Sequence, residues 1–150
     1  MTGQHTSSFL GSPEEWLRCK LELDQFHGLY GGNQVHLLGS GVGAVRAMAG
    51  NMERRFPLDV GLAGARAVFE LAVEIGFLEL AVDPRPGVPD ETSYGLALTN
   101  ASGERHALRK WARDSNPPFE RLRAALNELA KETSKTAEYQ GQIDRKWKLV

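Results

Sequence analysis

Cysteine is nearly absent from this chain of 150 residues. Cys19 stands alone, so no disulfide can form within the chain, and its place among Leu17, Leu21 and Leu23 reads as a small buried hydrophobe, not a reactive thiol. An excess of one charge is missing too. Lys and Arg number 18 against 19 Asp and Glu, for a formal net charge of −1. That removes any global electrostatic reason to expect nucleic acid or an anionic membrane as partner. No apolar run approaches the ~18 residues of a membrane span. Met1–Ser8 shows no basic stretch followed by an apolar one, so the expectation is cytoplasmic residence. Catalytic signatures are lacking as well: there is no G-x-S-x-G and no P-loop. The histidines, His5, His27, His36 and His106, are scattered, with no spacing that sets two ligands on one face. No catalytic residue, metal site or cofactor is expected from these absences.

What is present is ordinary globular material, 41% hydrophobic and 25% charged, long enough for one domain with a real core. Residues 1–13 are small and polar and read as a flexible N-terminus. Leu17, Cys19, Leu21 and Leu23 then alternate with Trp16, Arg18, Lys20 and Glu22, a period of two that predicts a strand. Further strands are predicted over Gln34–Leu38 and Val42–Met48. Apolar spacing from Asp59 to Ile75 predicts a helix ended by Gly76. After a loop set by Pro84, Pro86 and Pro89, the alternation of Tyr94, Leu96 and Leu98 gives a fourth strand. Asn100-Ala101-Ser102-Gly103 turns into a fifth, Glu104–Trp111. Asn116 before Pro117-Pro118 is a helix start, and Phe119, Leu122, Leu126 and Leu129 form its apolar stripe. The expected fold is α+β: a mainly antiparallel sheet of about five strands, covered on one face by two helices, in the order β-β-β-α-β-β-α. The domain would span 14–132, followed by a polar tail over 133–150.

Two segments look like chemistry. Gly39-Ser40-Gly41-Val42-Gly43-Ala44 fits the G-x-G-x-x-G/A dinucleotide fingerprint, with Asp59 downstream where a ribose contact would be. The surroundings favour a hairpin turn instead, because alternation resumes after Gly41. A nucleotide-dependent enzyme built on Gly39–Ala44 is therefore the alternative reading. Pro89-Asp90-Glu91 resembles the start of a nuclease carboxylate cluster, but no E-x-K follows it.

With Leu108 inward, Arg105, Ala107, Arg109 and Trp111 face away from the helices. On the first strand Trp16, Arg18, Lys20 and Glu22 do the same. Trp and Arg suit protein contacts because they bury large area and offer fixed donors. Trp16, Arg18, Arg109 and Trp111 are the expected partner-binding residues, for a protein partner or self-association through the open sheet. A tail folded over this face through Tyr139, Ile143 and Trp147 is the competing reading.

The chain also resembles the emfourin-like group of small bacterial α+β domains. Leu29-Tyr30-Gly31-Gly32 and its hairpin, Glu74-Ile75-Gly76-Phe77-Leu78-Glu79-Leu80 and Pro86-Gly87-Val88-Pro89-Asp90-Glu91 carry the resemblance. Leu96-Ala97-Leu98-Thr99-Asn100, Gly103, His106 and Pro118-Phe119 extend it, from roughly Leu17 to Leu129. The resemblance implies the fold above and an inhibitor of thermolysin-like metalloproteases. These motifs are turns, caps and core positions, so activity need not follow the fold. The expected function is a non-enzymatic protein-binding module, inhibitor-like or part of a bacterial complex.

Overall fold

Leucine at every second position makes Lys20–His27 a strand, β1, whose Leu21 and Leu23 are fully buried. It lies mid-sheet, antiparallel to β2 (Gly31–Leu38) on one side and to β5 (Ser93–Thr99) on the other. β3 (Val42–Ala49) and β4 (Met52–Asp59) continue the meander from β2, while β6 (Arg105–Trp111) pairs outside β5. The computed structural model describes residues 4–28, 31–87 and 90–149. Among them, seven strands form one antiparallel sheet in the order β6-β5-β1-β2-β3-β4-β7, the last being β7 (Tyr139–Gln142).

Register sets which side chains meet. Leu21 stands opposite Leu37 and Leu98, and Leu23 opposite Val35 and Leu96, so one sheet face is a continuous aliphatic layer. Helices α3 (Gly61–Glu74) and α4 (Pro117–Ala130) cover it with Ala65, Val68, Phe69 and Ala72, and with Phe119, Leu122 and Leu126. Asn116 caps α4 through its side-chain oxygen, which accepts from Phe119 N at 3.3 Å, and two prolines fill the first turn. α3 ends at Ile75–Gly76, and Phe77–Glu79 forms one 3-10 turn that sends Phe77 back into the core. Lys110, on the helix-facing side of β6, is only 1% exposed. Its ammonium pairs with Glu120 of α4 at 2.6 Å and donates to Asp114 O at 2.8 Å. Burial alone would raise the Glu120 carboxyl, but hydrogen bonds from Lys110 and Arg123 outweigh it and hold the group below its ordinary value.

The α+β class and the one-sided helical cover agree with the expectation, but four details differ. First, Met52–Asp59 is a strand. Its charged positions Glu53 and Arg55 are buried on the other sheet face, and Pro57 is tolerated because its missing N–H points away from β3, where β7 has already ended. Second, the tail supplies β7, which pairs with β4 over Met52–Arg55. Third, the N-terminal residues form two short helices, α1 (Gln4–Leu10) and α2 (Pro13–Trp16). Leu10 sits in the core and Thr6 Oγ1 accepts from Leu78 N at 3.0 Å, so α1 is docked against the domain. Fourth, the alternation starting at Trp16 is not all strand. Hydrogen bonds from Arg18 N to Glu15 O and from Cys19 N to Trp16 O curl that segment, leaving Leu17 45% exposed.

Candidate functional site

The sheet face away from the helices is divided in two. Its β2–β3–β4 half is roofed by the C-terminal segment. Glu53 and Arg55 on β4 and Arg46 on β3 form a buried ion-paired row, with Arg55 Nε 2.7 Å from Glu53 Oε1 and Arg46 Nη2 on Glu53 Oε2. Trp147 lies over this row, its ring 4.9 Å from the Arg46 guanidinium and 5.1 Å from that of Arg55, and meets His36 edge-on at 4.9 Å. Tyr139 stacks on Arg55 at 4.1 Å. His36 Nε2 donates to Gln34 Oε1 at 2.9 Å, leaving Nδ1 buried and without a hydrogen bond. Burial, then the charges of Arg46 and Lys20, push the His36 pKa down to about 3.

The β1–β5–β6 half is laced with ion pairs over a floor of small residues. Arg109 on β6 reaches across β5 to hold Asp24 of β1 with two hydrogen bonds of 2.8 Å. The bridge passes directly above Gly95, where an added Cβ would stand 2.7 Å from the guanidinium. Glu22 lies between Lys20 at 3.7 Å and Arg105 at 3.9 Å. With Ala97 and Ala107, the side chains of Glu22, Asp24, Arg105 and Arg109 line an open groove of about 200 Å³. Trp111 lies at the far end of β6. Its Nε1 donates to Arg85 O at 2.9 Å, and Gly87 lies flat against the indole. Arg85 in turn binds both Glu91 and Asp114, and its hydrogen bonds hold the Glu91 carboxyl below the usual range. The Glu91 expected from the carboxylate motif is thus a buttress of the proline-rich loop.

Of the four expected partner-binding residues, only Arg109 and Trp111 share this face. Trp16 is at the opposite end of the strands on the helical side, its ring 6.2 Å from Phe69 and its Nε1 bonded to Gly11 O. Arg18 is an exposed turn residue beside it. The strand alternation that would have grouped them begins only at Lys20. Gly39-Ser40-Gly41 is a hairpin turn, closed by Gly41 N to Leu38 O at 2.9 Å with Gly41 at φ 100°. No helix follows from it, because Ala44 lies in β3 opposite His36, so the dinucleotide geometry is not formed. Cys19 is buried, and desolvation raises its thiol pKa. His5 pairs with Glu79 at 3.5 Å, His27 Nε2 donates to Asp90 O at 2.8 Å, and His106 packs edge-on against Phe77. Among the described residues no three His, Cys, Asp or Glu are placed to hold a metal, and no helix is long and apolar enough to cross a membrane. Leu29, Tyr30, Val88 and Pro89, which carry part of the emfourin-like resemblance, lie outside the described residues.

Sequence reasoning missed Asp24 and Gly95 of the groove and the whole Arg46–Glu53–Arg55 row. A signal for the row exists: Glu53, Arg55 and Pro57 alternate with Met52, Arg54, Phe56 and Leu58 at period two, a strand whose polar side is the ordered one. Compared with protein-family models, curated proteins and solved structures, the chain matches none.

Proposed function

We propose that the chain is a non-enzymatic protein-binding module that meets its partner through the β1–β5–β6 half of the uncovered sheet face. The observation that carries this reading is the contrast between the two sheet faces. Helices seal one, the C-terminal segment roofs part of the other, and the remainder presents the guanidiniums of Arg105 and Arg109, 53% and 52% exposed, over a small-residue floor. Guanidiniums held by carboxylates at this spacing suit a partner surface that offers both acidic groups and amide acceptors. Trp111 adds a rigid aromatic wall at one end.

The test is co-purification from the source cell with the wild type, Arg105→Ala/Arg109→Ala and Arg66→Ala, the last an exposed control on α3, across the sheet from the groove. A stoichiometric partner held by the wild type and the control, and lost by the double variant at unchanged melting temperature, is the expected result. Equal capture by all three sinks the reading. The narrower form implied by the emfourin-like resemblance is inhibition of a thermolysin-like metalloprotease. Titration of such an enzyme with the protein addresses it, and undiminished proteolysis at stoichiometric excess removes it.

A further inference from the structure

The roofed half of the sheet face is a strand-binding site that the chain fills with itself. Ser134 N donates to Pro57 O at 3.1 Å and Glu138 N to Arg55 O at 2.8 Å, β7 pairs along Met52–Arg55, and Ile143 N donates to Asn51 O at 2.9 Å. Past the strand, the Asp144 peptide is clamped at both ends. Its N–H donates to Glu53 Oε2 at 3.2 Å and its carbonyl accepts from Arg46 Nη2 at 3.1 Å. Trp147 then enters the slot made by Arg46, Arg55 and His36. The site therefore reads three things in order: an extended backbone, one peptide group, and an aromatic ring.

The two sides of this contact are unequal. Arg46, Glu53, Arg55 and His36 are buried beneath the segment, yet no described residue from Lys131 to Leu149 is itself buried. Lifting the segment uncovers charged and hydrogen-bonding groups that water can solvate, while the aliphatic core stays shut under α3 and α4 on the opposite face. Such a unit opens at a free energy below that of global unfolding. Opening it leaves the outer edge of β4 with free backbone groups, an invitation to another strand. The sequence known to satisfy every element of the site is the segment itself, and a second copy carries one. The backbone N–H groups of Lys131, Glu132 and Thr133, which join α4 to the first ladder contact, bond back into the last turn of α4 at Glu128, Leu129 and Ala130, and this stretch can extend as a hinge.

We propose that residues 134–147 exchange between two copies of this chain, each copy's Asp144 and Trp147 completing the Arg46–Glu53–Arg55 site of the other. Reciprocal exchange of this kind closes on a two-fold axis and leaves no further free end. The experiment mixes wild-type chains of normal and heavy isotopic mass over a range of concentrations up to the solubility limit. Native mass spectrometry and light scattering read the species. The expected result is a mixed-mass dimer that grows with concentration, and a rate of subunit mixing that rises roughly tenfold or more in Trp147→Ala, which loosens the segment in monomer and dimer alike. A chain that stays monomeric throughout overturns the proposal, as does a rate of subunit mixing indifferent to that substitution. Amide exchange on the unmodified protein gives an independent reading. The amides of Glu138–Ile143 should exchange as a group well ahead of β1–β3, and exchange only at the rate of β1–β3 also overturns it.

Discussion

At position 36 an imidazole lies under Trp147, where its protonation is opposed by burial and by two cations. Glu22 Oε2, 3.6 Å from Nδ1, favours the charged ring, but Lys20 and Arg105 already compete for that carboxylate. An unfolded histidine takes its proton near pH ~6.5, whereas this one, when folded, does so only at about 3. The unfolded chain therefore binds more protons between those values, and stability falls as pH drops through that window, by at most about 1.4 kcal/mol per pH unit. Glu91 and Glu120, both held below the ordinary carboxylate value, add their losses only further down, as they protonate in the fold. Urea unfolding of wild type and His36→Gln between pH 7 and 5 should show the wild-type slope flattened in the variant, and equal slopes would contradict the assignment. Two neighbouring strands supply further tests at single residues. Lys110→Ala leaves Glu120 to Arg123 alone and opens space between Tyr94 and Phe119; the lost packing should cost about 2–5 kcal/mol, read from the urea midpoint, with Lys110→Met, which refills the space, recovering most of it. Gly95→Ala should detach Arg109 from Asp24 at a cost of roughly 1 kcal/mol or less, since the pair is solvent-facing. The shift of the Arg109 guanidinium resonance measures it.

Elements were legible where one physical signal acted alone. α4 announces itself by Asn116, two prolines and a leucine stripe, and the structure begins it at Pro117. Asn116→Ala should lower stability by about 1 kcal/mol, measured by thermal or urea unfolding, because the Phe119 N–H loses its acceptor. β2, β3, β5 and β6 were legible from alternation and glycine turns, and the outward side of β6 with them. β4 was not, because proline and charge both argue against a strand when neighbours are unknown. Pro57 is harmless only because β7 stops short of it, and Glu53 and Arg55 are tolerable only because Arg46 and Trp147 lie above them. Those partners lie on another strand or near the far end of the chain, beyond the reach of any local pattern. The same limit split Trp16 from Trp111: the curl at Glu15–Cys19 is set by hydrogen bonds to the preceding turn, which side-chain alternation does not register.

For the whole molecule, the inequality of the two sheet faces governs where substitutions are felt. Truncating a leucine of the helical face removes packed volume from a layer that continues from β4 to β6, at a cost of about 2–5 kcal/mol. The same reasoning reaches the N-terminus. Leu10 is 1% exposed within that layer, so Leu10→Ala should cost about 2–4 kcal/mol by urea unfolding, where a loosely attached segment would show no change. The groove residues Arg105 and Arg109, by contrast, leave stability nearly untouched when changed, so binding can be varied there independently of folding.

Pro57 reaches beyond its own strand. Because it offers no donor toward the outside of the sheet, any segment lying along β4 can form a full ladder only on Met52–Arg55, the stretch β7 now uses. A strand sliding two positions onward would set a donor-less residue against its own carbonyl and lose a bond, while sliding the other way runs into the Gly50–Asn51 turn. One imino acid thus acts as a ruler, fixing the alignment of whatever chain lies against this border and limiting how far it can zip.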